Sequence, residues 1–161
     1  MKTTKEQADQ DVHKKLVNNL QELLEKNYDA EKGYKKALED AKDGQLKTFL
    51  LHQAAQRGQF VNELDKEIRN LNEEPKKSGS ATGSLHRAWI DIKAAVSGND
   101  DEAVLEECIR GEKASVEEYE DRIKNNAFPP KIASVVNSQL TSINATLNKV
   151  KTLEDIADNL D

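Results

Sequence analysis

Apolar residues recur at steps of three and four along long stretches of this sequence, and no other feature constrains its fold as strongly. Such spacing places the apolar side chains on one face of an α-helix, and that face must be buried against other helices. The pattern predicts long helices over about residues 4–41, 45–72, 101–125 and 130–156, and a shorter one over 85–97. Valine, isoleucine and threonine alternate with polar residues over no comparable length, so we expect no strands.

Proline, glycine and serine mark the breaks between these helices. The segment EEPKKSGSATGS (73–84) has no apolar period and predicts a long connection, Gly44 is predicted to end the first helix, and Phe128-Pro129-Pro130 separates the last two. The pattern predicts two helical hairpins joined by a crossover that carries a short extra helix. This is the connectivity of an all-α, ferritin-like up-and-down four-helix bundle. At 161 residues, we expect a single domain over 1–161.

The composition excludes several classes of function. Acidic residues outnumber basic ones by 30 to 24, and lysines are interleaved with glutamates, so we expect no nucleic-acid partner. The apolar runs are too short to span a membrane, and the polar start MKTTKEQADQD has no signal-peptide core, so a cytoplasmic protein is expected. The single cysteine, Cys108, cannot form an intramolecular disulfide and is predicted to be a small buried side chain rather than a reactive one.

The two predicted hairpins can be aligned with each other. The segment LQELLEKNYDAEKGY (20–34) matches LEECIRGEKASVEEY (105–119) at an offset of 85, which pairs Tyr34 with Tyr119. The second and fourth helices match at an offset of 83, which pairs Gln56 with Gln139. Helices with similar apolar patterns also match by chance, but the agreement of both helix pairs at nearly one offset favours an internal duplication.

This alignment shows where a di-iron site of a ferritin-like bundle would lie. Such sites take a carboxylate from one helix of each pair and a Glu-x-x-His motif from the other, because residues three apart share a helix face. The corresponding positions here are Asn27 and Glu112, Gln56 and Gln59, and Gln139 and Ser142. Only Glu112 is anionic, and neutral groups cannot balance two divalent ions in a buried site. We therefore expect no metal and no other cofactor, with the amides bonded across the core as a remnant of the site.

A resemblance to a known family becomes specific at three segments. They are Ser78–Glu120 (SGSATGSLHRAWIDIKAAVSGNDDEAVLEECIRGEKASVEEYE), NYDAEKGYKKA and QRGQFVNEL. Together they resemble the uncharacterised bacterial family of ferritin-like four-helix-bundle proteins that is often described as stress-associated, over nearly the whole chain. The resemblance implies the fold, a cytoplasmic bacterial setting and no assigned reaction. Relatives in the wider ferritin and rubrerythrin superfamily hold di-iron centres, but the matching positions here depart from that pattern.

Two further groups of residues are candidates for a site. The first group is predicted to form a polar pocket in the core and consists of Tyr34, Tyr119, Glu112 and Glu107. We expect this pocket to be a hydrogen-bonded remnant of a site. The alternative is a general acid, whose carboxyl pKa would be raised by burial.

His86, Arg87 and Trp89 lie on the predicted short helix. They are expected to plug the end of the bundle, and the alternative is a lid over an anion or small ligand. His13 has Asp9 four residues before it, a spacing that also suits an adventitious two-ligand metal site on a helix surface.

Three hypotheses for the function remain. The first is a non-catalytic bundle, a stress-associated structural or interaction protein that associates with itself or with another helical protein. The second is a di-metal oxidase, peroxide-reducing or iron-handling protein that uses Glu112, Glu107, a histidine and tyrosines in a different arrangement. The third is a bundle that binds a small ligand under the helix of Trp89. The missing Glu-x-x-His motifs favour the first.

Overall fold

The computed structural model describes residues 3–76 and 101–160, and within them the chain forms four α-helices and no strand. The helices are α1 (Thr4–Asp40), α2 (Gly44–Asn70), α3 (Asp101–Asn125) and α4 (Pro130–Leu160). The all-helical fold that the apolar periodicity predicts is confirmed for these residues. The predicted short helix over 85–97 lies outside them.

Polar side chains cap the first two helices. Thr3 Oγ1 accepts a hydrogen bond from the Glu6 N–H at 3.1 Å, and the Glu6 carboxylate accepts one from the Thr3 N–H at 2.7 Å, which together form a capping box. The prediction that Gly44 ends the first helix is wrong. Gly44 is the first residue of α2, because Asp43 accepts the N–H of Leu46 at 2.9 Å and so caps that helix.

The second helix ends at Asn70, two residues earlier than predicted. Asn72 adopts the left-handed conformation with φ 63°, and its N–H donates to the carbonyl of Arg69 at 2.9 Å. The next N–H, that of Glu73, donates to the carbonyl of Ile68 at 3.2 Å. These two bonds form a Schellman motif, which satisfies the last carbonyls of the helix and reverses the chain.

Contacts between side chains give the directions of the helices. Residues early in one helix contact residues late in its neighbour, so α1 runs antiparallel to α3, and α2 runs antiparallel to α4. The pairs that show this are Asn19–Arg122 and Lys26–Glu118 between α1 and α3, and Gln53–Thr146 and Glu63–Gln139 between α2 and α4. Short turns over 41–43 and 126–129 make each hairpin antiparallel as well.

As a result α2 and α3 run in the same direction. The third helix begins beside the turn of the first hairpin, where the Asp101 carboxylate accepts the N–H groups of Lys42 and Asp43 at 3.3 and 2.9 Å. The described start of the connection already points towards that end. It runs beside α1, with the Lys76 N–H donating to Gln21 Oε1 at 3.0 Å.

Two apolar clusters fill the bundle, and each takes residues from all four helices. The cluster near the turn over 41–43 includes Tyr34, Phe49, Leu50, Leu105, Cys108 and Val150. The cluster at the other end includes Leu20, Leu24, Phe60, Leu64, Tyr119 and Ile143. Between them lies a band of buried polar side chains, which is the candidate site described below. Among residues 3–76 and 101–160, no helix is both long and apolar enough to cross a membrane.

The contact between Asp101 and the turn of the first hairpin can be tested by substitution. We expect Asp101→Ala to lower the free energy of unfolding by about 1–2 kcal/mol, because two backbone N–H groups lose their acceptor. Urea unfolding followed by circular dichroism measures this. Asp121→Ala, an exposed position on the same helix, is the matched control and should change stability by less than about 0.5 kcal/mol. Equal effects of the two substitutions would contradict the role given to Asp101.

Candidate functional site

A single arginine occupies the middle of the bundle. Arg57 lies on α2 with only 1% of its surface exposed, between the two apolar clusters. Its position continues the apolar stripe of that helix, three residues after Ala54 and four before Val61. The helical spacing therefore directs a guanidinium into the core. The sequence analysis missed this residue, although its place on the stripe was a signal that could have found it.

The guanidinium is bonded to three side chains from two neighbouring helices. Its Nη1 donates to Asn27 Oδ1 on α1 at 2.7 Å, and its Nη2 donates to Glu112 Oε2 on α3 at 2.8 Å. The same Nη2 lies 3.1 Å from Ser115 Oγ. Asn27 and Glu112 have no exposed surface. Arg57 and Glu112 thus form an ion pair that is wholly shielded from solvent.

Hydrogen bonds extend from this ion pair to both tyrosines. The hydroxyl of Tyr34 donates to Glu112 Oε1, and Asn27 Nδ2 donates to the hydroxyl of Tyr119 at 2.8 Å. The Tyr119 hydroxyl in turn donates to Gln139 Oε1 on α4 at 2.6 Å. We call the connected side chains the Arg57 network; its members are Asn27, Tyr34, Arg57, Glu112, Ser115, Tyr119 and Gln139. It joins all four helices.

The network follows the internal repeat of the sequence. Asn27 and Glu112 are related by the offset of 85, as are Tyr34 and Tyr119, and each tyrosine bonds the residue from the other half of the chain. The same crossed pairing relates α2 and α4, whose equivalent residues are separated by the offset of 83: each bonded pair joins one residue to the equivalent of another. Gln139 Nε2 donates to Glu63 Oε1 at 3.0 Å, and Thr146 Oγ1 lies 3.2 Å from Gln56 Oε1. The two hairpins are therefore related by an approximate two-fold axis that passes near Arg57.

Burial and charge fix the protonation of this site. Burial alone would lower the pKa of Arg57, but the charge of Glu112 and the two tyrosine hydroxyls raise it, and the pKa lies above its ordinary value. Burial raises the pKa of Tyr34 well above its ordinary value, and the charge of Glu112 adds to this effect. Burial also raises the pKa of Tyr119 to about 12, against the opposing charge of Arg57. At neutral pH the guanidinium is charged and both tyrosines keep the protons that they donate.

These residues do not fit a pair of divalent ions. Only Glu112 among them is a carboxylate, and its charge is balanced by the guanidinium at 2.8 Å. Asn27, Ser115 and Gln139 are neutral, whereas such ions need several anionic ligands in a buried site. In the part of the chain that the structure describes, no three His, Cys, Asp or Glu side chains lie close enough together to hold a metal ion.

The structure corrects the predicted orientation of α2. Gln56 and Gln59 were expected to point into the core at the positions of a Glu-x-x-His motif. Gln59 is exposed and Gln56 is half-buried, because Arg57 lies on the inner face and adjacent residues are rotated by about 100° from each other. Ser142 is also half-buried, while Gln139 is buried as expected.

The predicted polar pocket is present in part. Tyr34, Tyr119 and Glu112 lie in one network, but Glu107 does not belong to it. That side chain is a quarter exposed and pairs with Arg110 on the surface at 2.7 Å. Cys108 is buried beside the network, and burial raises the pKa of its thiol, so it is not a nucleophilic thiolate at neutral pH.

The remaining predicted residues lie away from the network. His13 Nε2 lies 3.0 Å from Glu73 Oε1 on the surface rather than forming a pair with Asp9. His86, Arg87 and Trp89 lie outside the described residues.

Surface clefts of about 260, 310 and 460 Å³ lie among the described residues, and none of these three is lined by a member of the Arg57 network.

The fold and the site together define a class, an all-α bundle whose core is organised by a buried and fully bonded ion pair. A family described as a domain of unknown function (DUF2383) matches residues 15–125. The match covers more than half of the chain, so the protein belongs to this family. It runs from residue 15 within α1 to the end of α3 and includes every member of the Arg57 network except Gln139. No curated protein matches the sequence.

Removal of one partner of the ion pair should destabilise the fold. We expect Arg57→Met to lower the free energy of unfolding by about 3–5 kcal/mol, because it leaves the Glu112 carboxylate buried without a cation. The double variant Arg57→Met with Glu112→Gln should recover part of this loss. Arg69→Met is the control on the same helix; its side chain is 54% exposed, so its pair with Asp65 is screened by water and should contribute little to stability. Similar losses in Arg57→Met and Arg69→Met would contradict this account.

The tyrosines predict loss of stability at alkaline pH. Because the pKa of Tyr119 is about 12 in the folded protein and about 10 in an unfolded chain, the unfolded state loses its proton first. The raised pKa of Tyr119 contributes roughly 2–3 kcal/mol to the free energy of unfolding. The folded protein keeps this contribution in full below about pH 10 and loses it as the pH rises towards about 12. Urea unfolding at several pH values measures the slope. Tyr119→Phe should flatten it, whereas Tyr28→Phe, outside the network, should not.

Proposed function

We propose that this protein is a non-catalytic helical bundle with ferritin-like topology, in which an internal arginine stands in place of a metal centre. Its role would be that of a structural or protein-interaction protein. The observation that carries this proposal is the position of the Arg57 guanidinium, which is bonded to Asn27 and Glu112 from the two halves of the repeat. A di-metal site would need these same two positions for its ligands.

The chemistry of the network supports a structural role. The guanidinium is a permanent cation, so the buried carboxylate has a counter-ion that does not depend on metal supply. Both tyrosine hydroxyls donate to acceptors within the protein, and Arg57 cannot act as a base. A buried group takes part in catalysis only if a substrate reaches it, and the network lies inside the bundle between two apolar clusters.

The directions of the helices support the ferritin-like topology. Each hairpin is antiparallel, and α2 and α3 run in the same direction, as the second and third helices of such folds do. The cytoplasmic setting and the association with stress come from the family resemblance and belong to the same proposal.

The proposal predicts a protein without bound metal. Expression with added iron, followed by purification without a chelator or a histidine tag, should give less than about a tenth of an equivalent of iron, manganese or zinc by mass spectrometry, because the only carboxylate at the site already has a counter-ion. A di-iron protein that is expressed and purified in parallel is the control. Near-stoichiometric metal would refute the proposal and favour the di-metal alternative, and assays with oxygen and peroxide would follow.

A further inference from the structure

Charged residues are distributed unevenly over the four helices. They make up 16 of the 37 residues of α1 and 13 of the 25 residues of α3. On α2, the stretch 48–62 contains only the buried Arg57, and on α4 the stretch 132–148 contains none. In a chain that is 34% charged, helices that face water are expected to carry charge along their outer sides. The outer sides of α2 and α4 depart from this expectation.

The two uncharged stretches lie side by side. Thr146 on α4 bonds Gln53 of α2 at 2.9 Å, and Gln139 on α4 bonds Glu63 of α2 at 3.0 Å, so the helices are neighbours along this whole length. We call the exposed residues of 48–62 and 132–148 the neutral face. Leu51, Ala55 and Gln59 belong to it on α2, and Ser138, Thr141 and Ala145 belong to it on α4. Leu51 is 56% exposed, one of two large apolar residues so exposed among those described.

We propose that the neutral face is the surface through which two copies of this chain associate about a two-fold axis. This inference rests on the proposed function, since it names the partner and the surface of an interaction protein.

Electrostatics favour a second copy as the partner. In a two-fold contact the same surface patch meets itself, so a face with charges of one sign would oppose like charges. Two chains of net charge −6 repel each other. Contact through the neutral face brings the fewest charged side chains of the two copies close together. Hydroxyl and amide groups such as those of Thr141 and Gln59 both donate and accept, so they can pair with copies of themselves.

The side chains of the neutral face are also suited to close packing. Thr141 Oγ1 donates to the carbonyl of Asn137 at 3.1 Å, and Asn137 Nδ2 donates to the carbonyl of Ala133 at 2.8 Å. One donor of each side chain is therefore already bonded within α4, which lowers the cost of removing water from these groups. Serine, threonine and alanine also lose less side-chain entropy on packing than lysine or glutamate would.

The size of the face predicts a weak dimer. A stretch of 15 residues on a helix is about 22 Å long, and two neighbouring helices are about 20 Å wide. The contact would bury about 900 Å² over both copies, below the usual size of a stable interface. The association should therefore be reversible and depend on concentration.

Sedimentation velocity of the full chain from about 10 µM to 1 mM tests the proposal. The wild type should shift from monomer to dimer across this range. The variant Gln59→Glu with Ala145→Glu should associate at least about tenfold more weakly, because it brings like charges together. The control Ala8→Glu with Asn18→Glu adds the same charge at exposed positions of α1 and should behave as the wild type. Circular dichroism checks that both variants keep their helices.

A mixture of opposite charges gives a second test. Gln59→Lys with Ala145→Lys should also be monomeric alone but should form a heterodimer with the glutamate variant. A wild type that stays monomeric at 1 mM, a dimer unchanged by the glutamate pair, or a mixture that fails to associate would each overturn the proposal. Metal content of the same samples separates the two proposals: bound metal would refute the proposed function, whereas a metal-free monomer would refute only the neutral face as a dimer contact.

Discussion

The ion pair between Arg57 and Glu112 is the interaction on which the rest of this bundle depends. A buried charge is tolerated only when its partner and its hydrogen bonds are in place, and the groups bonded to this pair come from α1 and α3. The network reaches α4 through the bonds of Tyr119 to Asn27 and Gln139. Asn27 and the tyrosines hold the pair between the two apolar clusters. A shift of one hairpin along the other would break the bonds of the Arg57 network and leave a buried charge without its partner.

The pair also joins the two halves of an internal repeat. Asn27 and Glu112 occupy equivalent positions in the repeat, and the two ends of one guanidinium bond both of them. The symmetry stops at the cation itself, because the position equivalent to Arg57 is Leu140. A single positive charge is thus shared between two equivalent sites of which only one is anionic. This balance of charge stabilises the polar core.

The repeat also accounts for the distribution of charge on the surface. α1 and α3 are equivalent helices and carry most of the charge, whereas the equivalent helices α2 and α4 are adjacent and share uncharged outer stretches at 48–62 and 132–148. The face that we propose as a dimer contact therefore follows the same internal repeat as the core.

By itself, the sequence determined the four helices and the approximate places where they end. Both apolar periodicity and helix capping depend on residues that lie close together in the chain. It also indicated that Tyr34, Tyr119 and Glu112 belong to one polar core. It did not reveal that Arg57 points inward, since a charged residue on an apolar stripe is stable only if a partner lies opposite. That partner, Glu112, is 55 residues away along the chain, and only the packing of the hairpins brings it to 2.8 Å. The same packing decided the rotation of α2 that exposes Gln59 and leaves Gln56 half-buried beside Thr146, because the burial of the guanidinium with its counter-ion sets which side of the helix faces inward.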